Sequence, residues 1–225
     1  MMLRTVFLLM FLWILPAKAL TPQQICQAEA QKINQVILRY KYGDLDLVQK
    51  SSAEISAECG DNAAGCCRAA GGRYTIYAKP KIIKVENTVC LIPVVSLDYD
   101  FSGTYIEVTN EYEPCKTRAV LRHELQHFMI WKTGRELQLK QTQKLLTELA
   151  QEKITACTSN ADCNHNYLSE FKNLVNVIAE KWGRIIHANN VKLDENDHDF
   201  NKEVNYRVCL PYSFKKISFK DLFFH

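Results

Sequence analysis

Nine cysteines behind an export signal constrain this fold more than any other feature of the sequence. They occupy positions 26, 59, 66, 67, 90, 115, 157, 163 and 209. In an oxidising compartment such residues pair as disulfides. No C-x-x-C pair is present, which disfavours a zinc ribbon or a thioredoxin-type redox motif. We therefore expect structural disulfides rather than a catalytic cysteine.

The first 19 residues predict a signal peptide that is removed on export. Arg4 supplies a short positive region, ten apolar residues follow at 6–15 ("VFLLMFLWIL"), and Ala17-Lys18-Ala19 is an A-x-A cleavage site. Ten apolar residues are too few to span a bilayer as a helix, and no later run is long or apolar enough. We expect residues 20–225 to form a single domain, secreted or periplasmic, without a membrane span.

The charge balance gives no indication of a nucleic-acid partner. Removal of Arg4 and Lys18 reduces the 28 basic residues to 26, against 25 acidic ones, so the mature chain is almost neutral. Neither a basic patch nor an interleaving of basic and aromatic residues suggests nucleic acid. We therefore expect no contact with nucleic acid.

Two groups of cysteines lie close enough in sequence to suggest local disulfides. Cys157 and Cys163 enclose the turn-rich stretch "TSNAD", and we expect them to pair. Cys59, Cys66 and Cys67 lie in a glycine-rich loop, "ECGDNAAGCCRAAGG", which we expect to need a covalent staple. Because nine is odd, four disulfides would leave one thiol over, and its identity stays open.

Hydrophobic periodicity predicts one helix followed by a small sheet in the first half of the chain. Residues 22–41 carry apolar side chains near helical spacing. A loop rich in glycine and cysteine follows over about 57–73. Four β-branched and aromatic segments, separated by Pro, Asn, Asp and Gly, then predict strands between 74 and 109. They read "RYTIYA", "KIIKV", "TVCLIPVVSL" and "TYIEVTN".

The second half of the chain reads as helical. A helix is predicted over 116–132 with Gly134 as its C-cap, and a second over about 135–155. A third covers "NYLSEFKNLVNVIAEKWGRIIHA" and precedes the polar loop "NNVKLDENDHDFN" and a final extended segment. The expected architecture is an α+β domain, a small β-sheet followed by a helical half, held by disulfides.

The motif "HELQH" within the helix over 116–132 is a candidate metal site. His123 and His127 are four residues apart, so they lie on one helix face about one turn apart. Zinc binds neutral imidazole and at catalytic sites takes three protein ligands, which leaves a fourth position for water. Glu124 projects toward the same side, where it could accept a proton from metal-bound water.

Residues 120–129 resemble the active-site helix of the zincin metallopeptidases. The longer zincin signature has uncharged or apolar residues beside the motif, and several positions here fit it: Val120, Leu121, Leu125, Gln126, Phe128 and Met129. The resemblance implies a zinc-dependent hydrolase, with Glu124 as general base, that acts on peptides or proteins, including those of the cell envelope. In zincins a small mixed sheet precedes this helix and its edge strand binds extended substrate, a role the analogy gives to 104–110. Metzincin membership is disfavoured because Ile130 and Thr133 break the longer motif.

Two classes of third zinc ligand stay open. In the gluzincin pattern a glutamate on the next helix follows the second histidine by some twenty residues, and Glu148 lies 21 residues after His127, with Glu152 one turn further. More loosely, the chain resembles an exported bacterial family of HExxH proteins of unassigned function. In that family a T-x-H-G motif follows a long helix, which would make His198 the ligand, although the threonine and glycine positions do not match.

Two non-enzymatic classes compete with the hydrolase. In a zinc-stabilised envelope module, Cys115, eight residues before His123, could close the fourth position. Removal of a structural zinc would unfold such a module, whereas loss of a catalytic zinc should leave a disulfide-stapled fold intact. In a disulfide-rich binding domain without metal, the motif would be fortuitous.

Overall fold

Two mixed β-sheets pack against one long helix, and a second long helix runs antiparallel beside it in this computed structural model. The structure describes residues 20–60, 63–69, 72–159, 163 and 167–196. The predicted signal peptide, His198 and the final extended segment lie outside these described residues. Within them, no helix combines the length and the apolar character needed to cross a membrane.

The described residues form four helices and seven strands. The helices are α1 (Pro22–Gln31), α2 (Ser52–Cys59), α3 (Pro114–Glu152) and α4 (Leu168–Asn196). The strands are β1 (Val36–Tyr42), β2 (Asp46–Lys50), β3 (Gly65–Arg68), β4 (Arg73–Val85), β5 (Thr88–Phe101), β6 (Tyr105–Thr109) and β7 (Thr155–Cys157). The predicted α+β class is confirmed, although the strands form two sheets rather than one.

The larger sheet is built around β5. It pairs with β4 in an antiparallel hairpin on one side, and on the other side it pairs with β1 in parallel and with β7 in antiparallel orientation. Leu91, Val95 and Leu97 of β5 pack into the main core beneath α3 and α4. Cys90 and Ile92 point to the opposite face and pack against α1. The central strand is therefore buried on both faces, which explains its nearly continuous apolar sequence.

The smaller sheet has β6 at its centre, parallel to β2 and antiparallel to β3. The expectation that 104–110 forms an edge strand is therefore wrong, because β6 has a partner on each side. The edge beside α3 is β3, a strand in the segment predicted to be loop. Strand β3 runs along β6. The Cys59–Cys66 disulfide ties β3 to the end of α2.

The first predicted helix ends ten residues early. Helix α1 stops at Gln31, and the segment that follows becomes β1, which lies parallel to β5. The β-branched Val36 and Ile37 and the aromatic Tyr40 and Tyr42 favour a strand. Pairing with the central strand β5 makes residues 36–42 a strand. The periodicity of the sequence gives no information about a partner so distant in the chain.

Helix α3 runs unbroken for 39 residues and joins the two helices predicted over 116–132 and about 135–155, ending at Glu152 shortly before β7. Gly134 is not a C-cap but a buried residue within the helix, because Ile186 of α4 packs directly upon it. A Cβ at Gly134 would lie 2.4 Å from Ile186 Cγ1, so any larger residue requires the Ile186 side chain or α4 to shift. The glycine therefore marks a close helix–helix contact rather than a helix end.

Helix α4 extends to Asn196, well into the predicted polar loop. Ile186, Asn190 and Asp194 follow one another at four-residue steps and lie on the same face of the helix. This face is directed at α3: Ile186 contacts Gly134, and Asn190 contacts His127. The extension therefore brings polar residues of the supposed loop to the motif "HELQH".

Three disulfides are present among the described residues: Cys26–Cys90, Cys59–Cys66 and Cys157–Cys163. The predicted local pair Cys157–Cys163 is confirmed, as is the staple in the cysteine-rich segment. Cys115 is also disulfide-bonded. Cys67 is the free thiol of the described residues. This disulfide content is compatible with an oxidising, extracytoplasmic compartment.

Candidate metal centre

His123 and His127 of α3 and Asp194 of α4 bring three ligand atoms together. His127 Nε2 lies 2.9 Å from His123 Nε2 and 2.9 Å from Asp194 Oδ1, and His123 Nε2 lies 3.3 Å from the same oxygen. In a tetrahedral zinc site with bonds of ~2.0–2.1 Å, two ligand atoms are about 3.3 Å apart. The triangle formed by these atoms therefore fits the spacing of a zinc ligand set.

The donor types and their exposure also fit a catalytic metal. Two imidazole nitrogens and one carboxylate oxygen form a ligand set that zinc accepts. The side chains of His123 and His127 are 16% and 14% exposed, whereas that of Asp194 is 59% exposed. The cluster thus lies at the protein surface, where water can reach a fourth position.

Asn190 orients one of the two imidazole rings. Its Oδ1 lies 2.8 Å from His127 Nδ1 and accepts a hydrogen bond from that nitrogen. Because the ring proton is then on Nδ1, the lone pair of Nε2 is available to a metal. Partners of this kind hold the ring and tautomer of many metal-binding histidines.

Glu124 is a buried carboxyl beside the cluster, only 6% exposed. The backbone N–H of Cys67 on β3 donates a hydrogen bond to it. Burial raises the pKa of Glu124 to about 7, against the opposing influence of His127 and the Cys67 N–H. A carboxyl group that titrates near neutral pH is suited to exchange protons with a water molecule.

The gluzincin candidates do not reach this site. Glu148 follows His127 by 21 residues on the same helix, which places it about 30 Å away at 1.5 Å per residue. Glu152 lies one turn further still. The nearest charged partner of Glu148 is Lys144, 3.9 Å away. His198, the other candidate, lies outside the described residues and stays a prediction.

Sequence reasoning missed Asp194, the carboxylate that the structure places against both histidines. It lay in a stretch interpreted as a polar loop, where an acidic residue has no special meaning. A signal was nevertheless present, because steps of four residues lead from the apolar Ile186 through Asn190 to Asp194. Continuation of the buried helix face would have predicted that both polar residues face α3.

Other cysteine-containing arrangements among the described residues are not metal sites. Sulfur atoms of Cys59 and Cys66 lie close to the carboxylate of Glu107, but the two sulfurs form a disulfide. Glu107 is fully buried and its charge is balanced by Lys50. Cys115, considered above as a possible fourth ligand, is disulfide-bonded and therefore offers no thiolate.

No protein-family model, curated protein or solved structure matches this chain. The zincin resemblance of residues 120–129 therefore has no relative to support it. The case for a metal centre depends on the convergence of His123, His127 and Asp194, and the case for hydrolysis on the buried Glu124 beside them.

Proposed function

We propose that this protein is an exported zinc-dependent hydrolase, and specifically a peptidase. The observation that carries this proposal is the triangle of His123 Nε2, His127 Nε2 and Asp194 Oδ1, with edges of 2.9–3.3 Å, next to the buried Glu124. Zinc, when bound, would polarise the scissile carbonyl and lower the pKa of a water ligand to ~7.

Side chains of the protein would bind the metal, orient a ligand and transfer the proton. His123, His127 and Asp194 would hold the metal, and Asn190 keeps the His127 ring in the required tautomer. Glu124 follows the first ligand directly and would accept a proton from the attacking water, then deliver it to the leaving amine. The Cys67 N–H fixes the position of this carboxyl group.

The edge strand β3 supports a peptide as substrate. Among the described strands β3 pairs only with β6, so no described strand covers its other edge. The Cys67 N–H on this edge donates a hydrogen bond to Glu124, so the edge borders the site. An extended peptide that added to β3 as a further strand would place its backbone close to the proposed base.

Zinc stoichiometry of the mature, oxidised protein tests the proposal. We expect one zinc per chain in the wild type and none in the variant with His123→Ala and His127→Ala, because two of the three ligands are removed. His187→Ala, a histidine exposed on α4, is the control and should keep the metal. Elemental analysis without added metal, and again after incubation with zinc, provides the measurement.

Two outcomes would contradict the proposal. Absence of zinc from the wild type under both conditions would leave a disulfide-rich binding domain as the better interpretation. Unfolding on removal of zinc, followed by circular dichroism, would instead indicate a zinc-stabilised module. A hydrolase of this kind should keep its fold without metal, because no strand of either sheet and none of the three described disulfides supplies a metal ligand.

Asn190→Leu should weaken zinc binding by about 10- to 100-fold, the usual effect of a lost partner to a metal-binding histidine. Leucine has a similar size but accepts no hydrogen bond from His127 Nδ1. Asn190→Asp retains an acceptor there and should restore most of the affinity. Competition with a chromogenic chelator measures both dissociation constants. Equal affinity in the leucine variant and the wild type would show that Asn190 does not orient the ring.

A further inference from the structure

Strand β3 contacts Glu124 on both sides of Cys66. Gly65 leaves no room for a side chain, since a Cβ there would lie 2.4 Å from Val120 Cγ1 and 3.0 Å from Glu124 Cγ. Two residues later, the Cys67 N–H donates to the Glu124 carboxylate. The position of the carboxyl group on α3 therefore depends on where this short strand lies.

Cys66 points to the opposite face of the strand, because neighbouring side chains alternate. There it forms the disulfide to Cys59, the last residue of α2. Helix α2 is itself anchored by the fully buried Ile55 and by the ion pair of Glu58 with Lys50 on β2. The disulfide thus joins the residues that contact Glu124 to a fixed support.

Besides the disulfide, β3 is held by its ladder with β6, by ion pairs of Arg68 with Glu58 and Glu107, and by packing of Cys67 beside Ile106 and Val108. The strand has four residues and, among the described strands, only β6 as a partner, and strands of this length contribute little stability by themselves. The ion pair between Arg68 and Glu58 would keep the reduced strand near its site. Loss of the disulfide should therefore loosen β3 rather than unfold the protein.

We propose that the Cys59–Cys66 disulfide is a positioning element for Glu124, and that its reduction lowers turnover without release of the metal. This inference rests on the proposed hydrolase function. The metal should be unaffected because His123, His127 and Asp194 all lie on α3 and α4, not on β3. The disulfide would make the enzyme active in an oxidising compartment and impaired in a reducing one.

The redox step needs a two-electron reductant, for which the dithiol dithiothreitol serves as the probe. One thiolate attacks a sulfur of the disulfide and releases the other cysteine, and the second thiol of the reagent then displaces the remaining cysteine. The protein gains two electrons and two protons, and the reagent becomes a cyclic disulfide. Burial raises the pKa of the neighbouring Cys67 to about 12, so this thiol is a poor nucleophile in the exchange.

The test compares the variant with Cys59→Ser and Cys66→Ser with a matched control, Cys157→Ser and Cys163→Ser. The two disulfides span seven and six residues, and the control pair lies between β7 and α4, away from Glu124. Amide hydrogen exchange of residues 65–68 should become at least about tenfold faster in the first variant and stay unchanged in the control. Zinc stoichiometry should stay at the wild-type value in both.

Cleavage of fluorescein-labelled casein supplies the second measurement. We expect kcat to fall about 10- to 100-fold in the first variant with little change in KM, since a displaced base affects chemistry more than binding. Dithiothreitol should lower wild-type turnover similarly but have no further effect on that variant. Gly65→Ala, which displaces Glu124 and leaves the disulfide intact, should reproduce the loss and keeps the test valid if the serine variant misfolds.

Normal exchange of residues 65–68 in the serine variant, or equal losses of turnover in it and the control, would overturn the inference. So would full wild-type turnover in dithiothreitol once mass spectrometry shows the disulfide reduced. In each case bound zinc and activity in the oxidised wild type would leave the proposed function standing. Absence of zinc from the wild type would refute the hydrolase itself.

Discussion

Glu124→Gln should abolish hydrolysis by the zinc-loaded protein while the metal stays bound. The amide is similar in size to the carboxyl group, and its oxygen can still accept the Cys67 N–H, so the local packing with β3 is kept. It cannot accept a proton from water, so kcat should fall by about 10²- to 10⁴-fold. Casein cleavage together with zinc analysis of the same sample separates lost chemistry from lost metal.

The matched control for this variant is Glu148→Gln. Glu148 is an exposed glutamate on the same helix, and we expect its replacement to leave activity unchanged. Wild-type turnover in the Glu124 variant would exclude Glu124 as the base. Equal losses in both variants would indicate that the helix, rather than the carboxyl group, is responsible.

The same substitution should change how the stability of the metal-free protein depends on pH. The folded-state pKa of Glu124 is raised from 4.5 to about 7, so the folded protein binds a proton there more tightly than the unfolded chain does. The wild type should therefore lose stability relative to the glutamine variant as pH rises from about 4.5 to about 7. Urea denaturation of both proteins at several pH values measures this difference.

Asp194→Asn should lower zinc affinity by more than about 100-fold, beyond the usual effect of a residue that only orients a ligand. The substitution removes the charge that neutralises part of the metal's own charge, and a neutral amide oxygen is a weaker zinc ligand than a carboxylate. The neighbouring Glu195→Gln removes the same charge from an exposed position and should bind zinc normally. Competition with a chelator measures both variants and the wild type.

Wild-type affinity in the Asp194 variant would mean that the third ligand lies elsewhere. His198→Ala would then be the decisive variant, because His198 follows Asp194 by four residues in the sequence. Loss of zinc in both the Asp194 and the Glu195 variants would indicate that net negative charge at the end of α4, not coordination, attracts the ion.

The parts of this protein that could be predicted from sequence are those specified by local patterns. Helical spacing placed His123 and His127 on one face, and the short span between Cys157 and Cys163 suggested their disulfide. The change from alternating to helical periodicity indicated the α+β class. Each of these features involves residues a few positions apart.

The parts that could not be predicted depend on partners distant in sequence. Which strand lies at the edge of the smaller sheet is decided by pairing of β6 with both β2 and β3. The segment 36–42 has some helical spacing, but pairing with β5 makes it a strand. Gly134 has the features of a helix end until Ile186, 52 residues later, is seen to occupy the space of its missing side chain.

Where the proposed ligands come from two helices, the distances between the ligand atoms depend on how the helices are aligned along their length. A slip of α4 by one turn would shift Asp194 by about 5.4 Å along the helix axis. Asp194 could then no longer bind the same ion as the two histidines. Ile186 packs against Gly134 two turns from the ligands, and this close contact fixes the position of α4 along α3. The spacing of the three proposed ligands therefore depends on a glycine that contacts none of them.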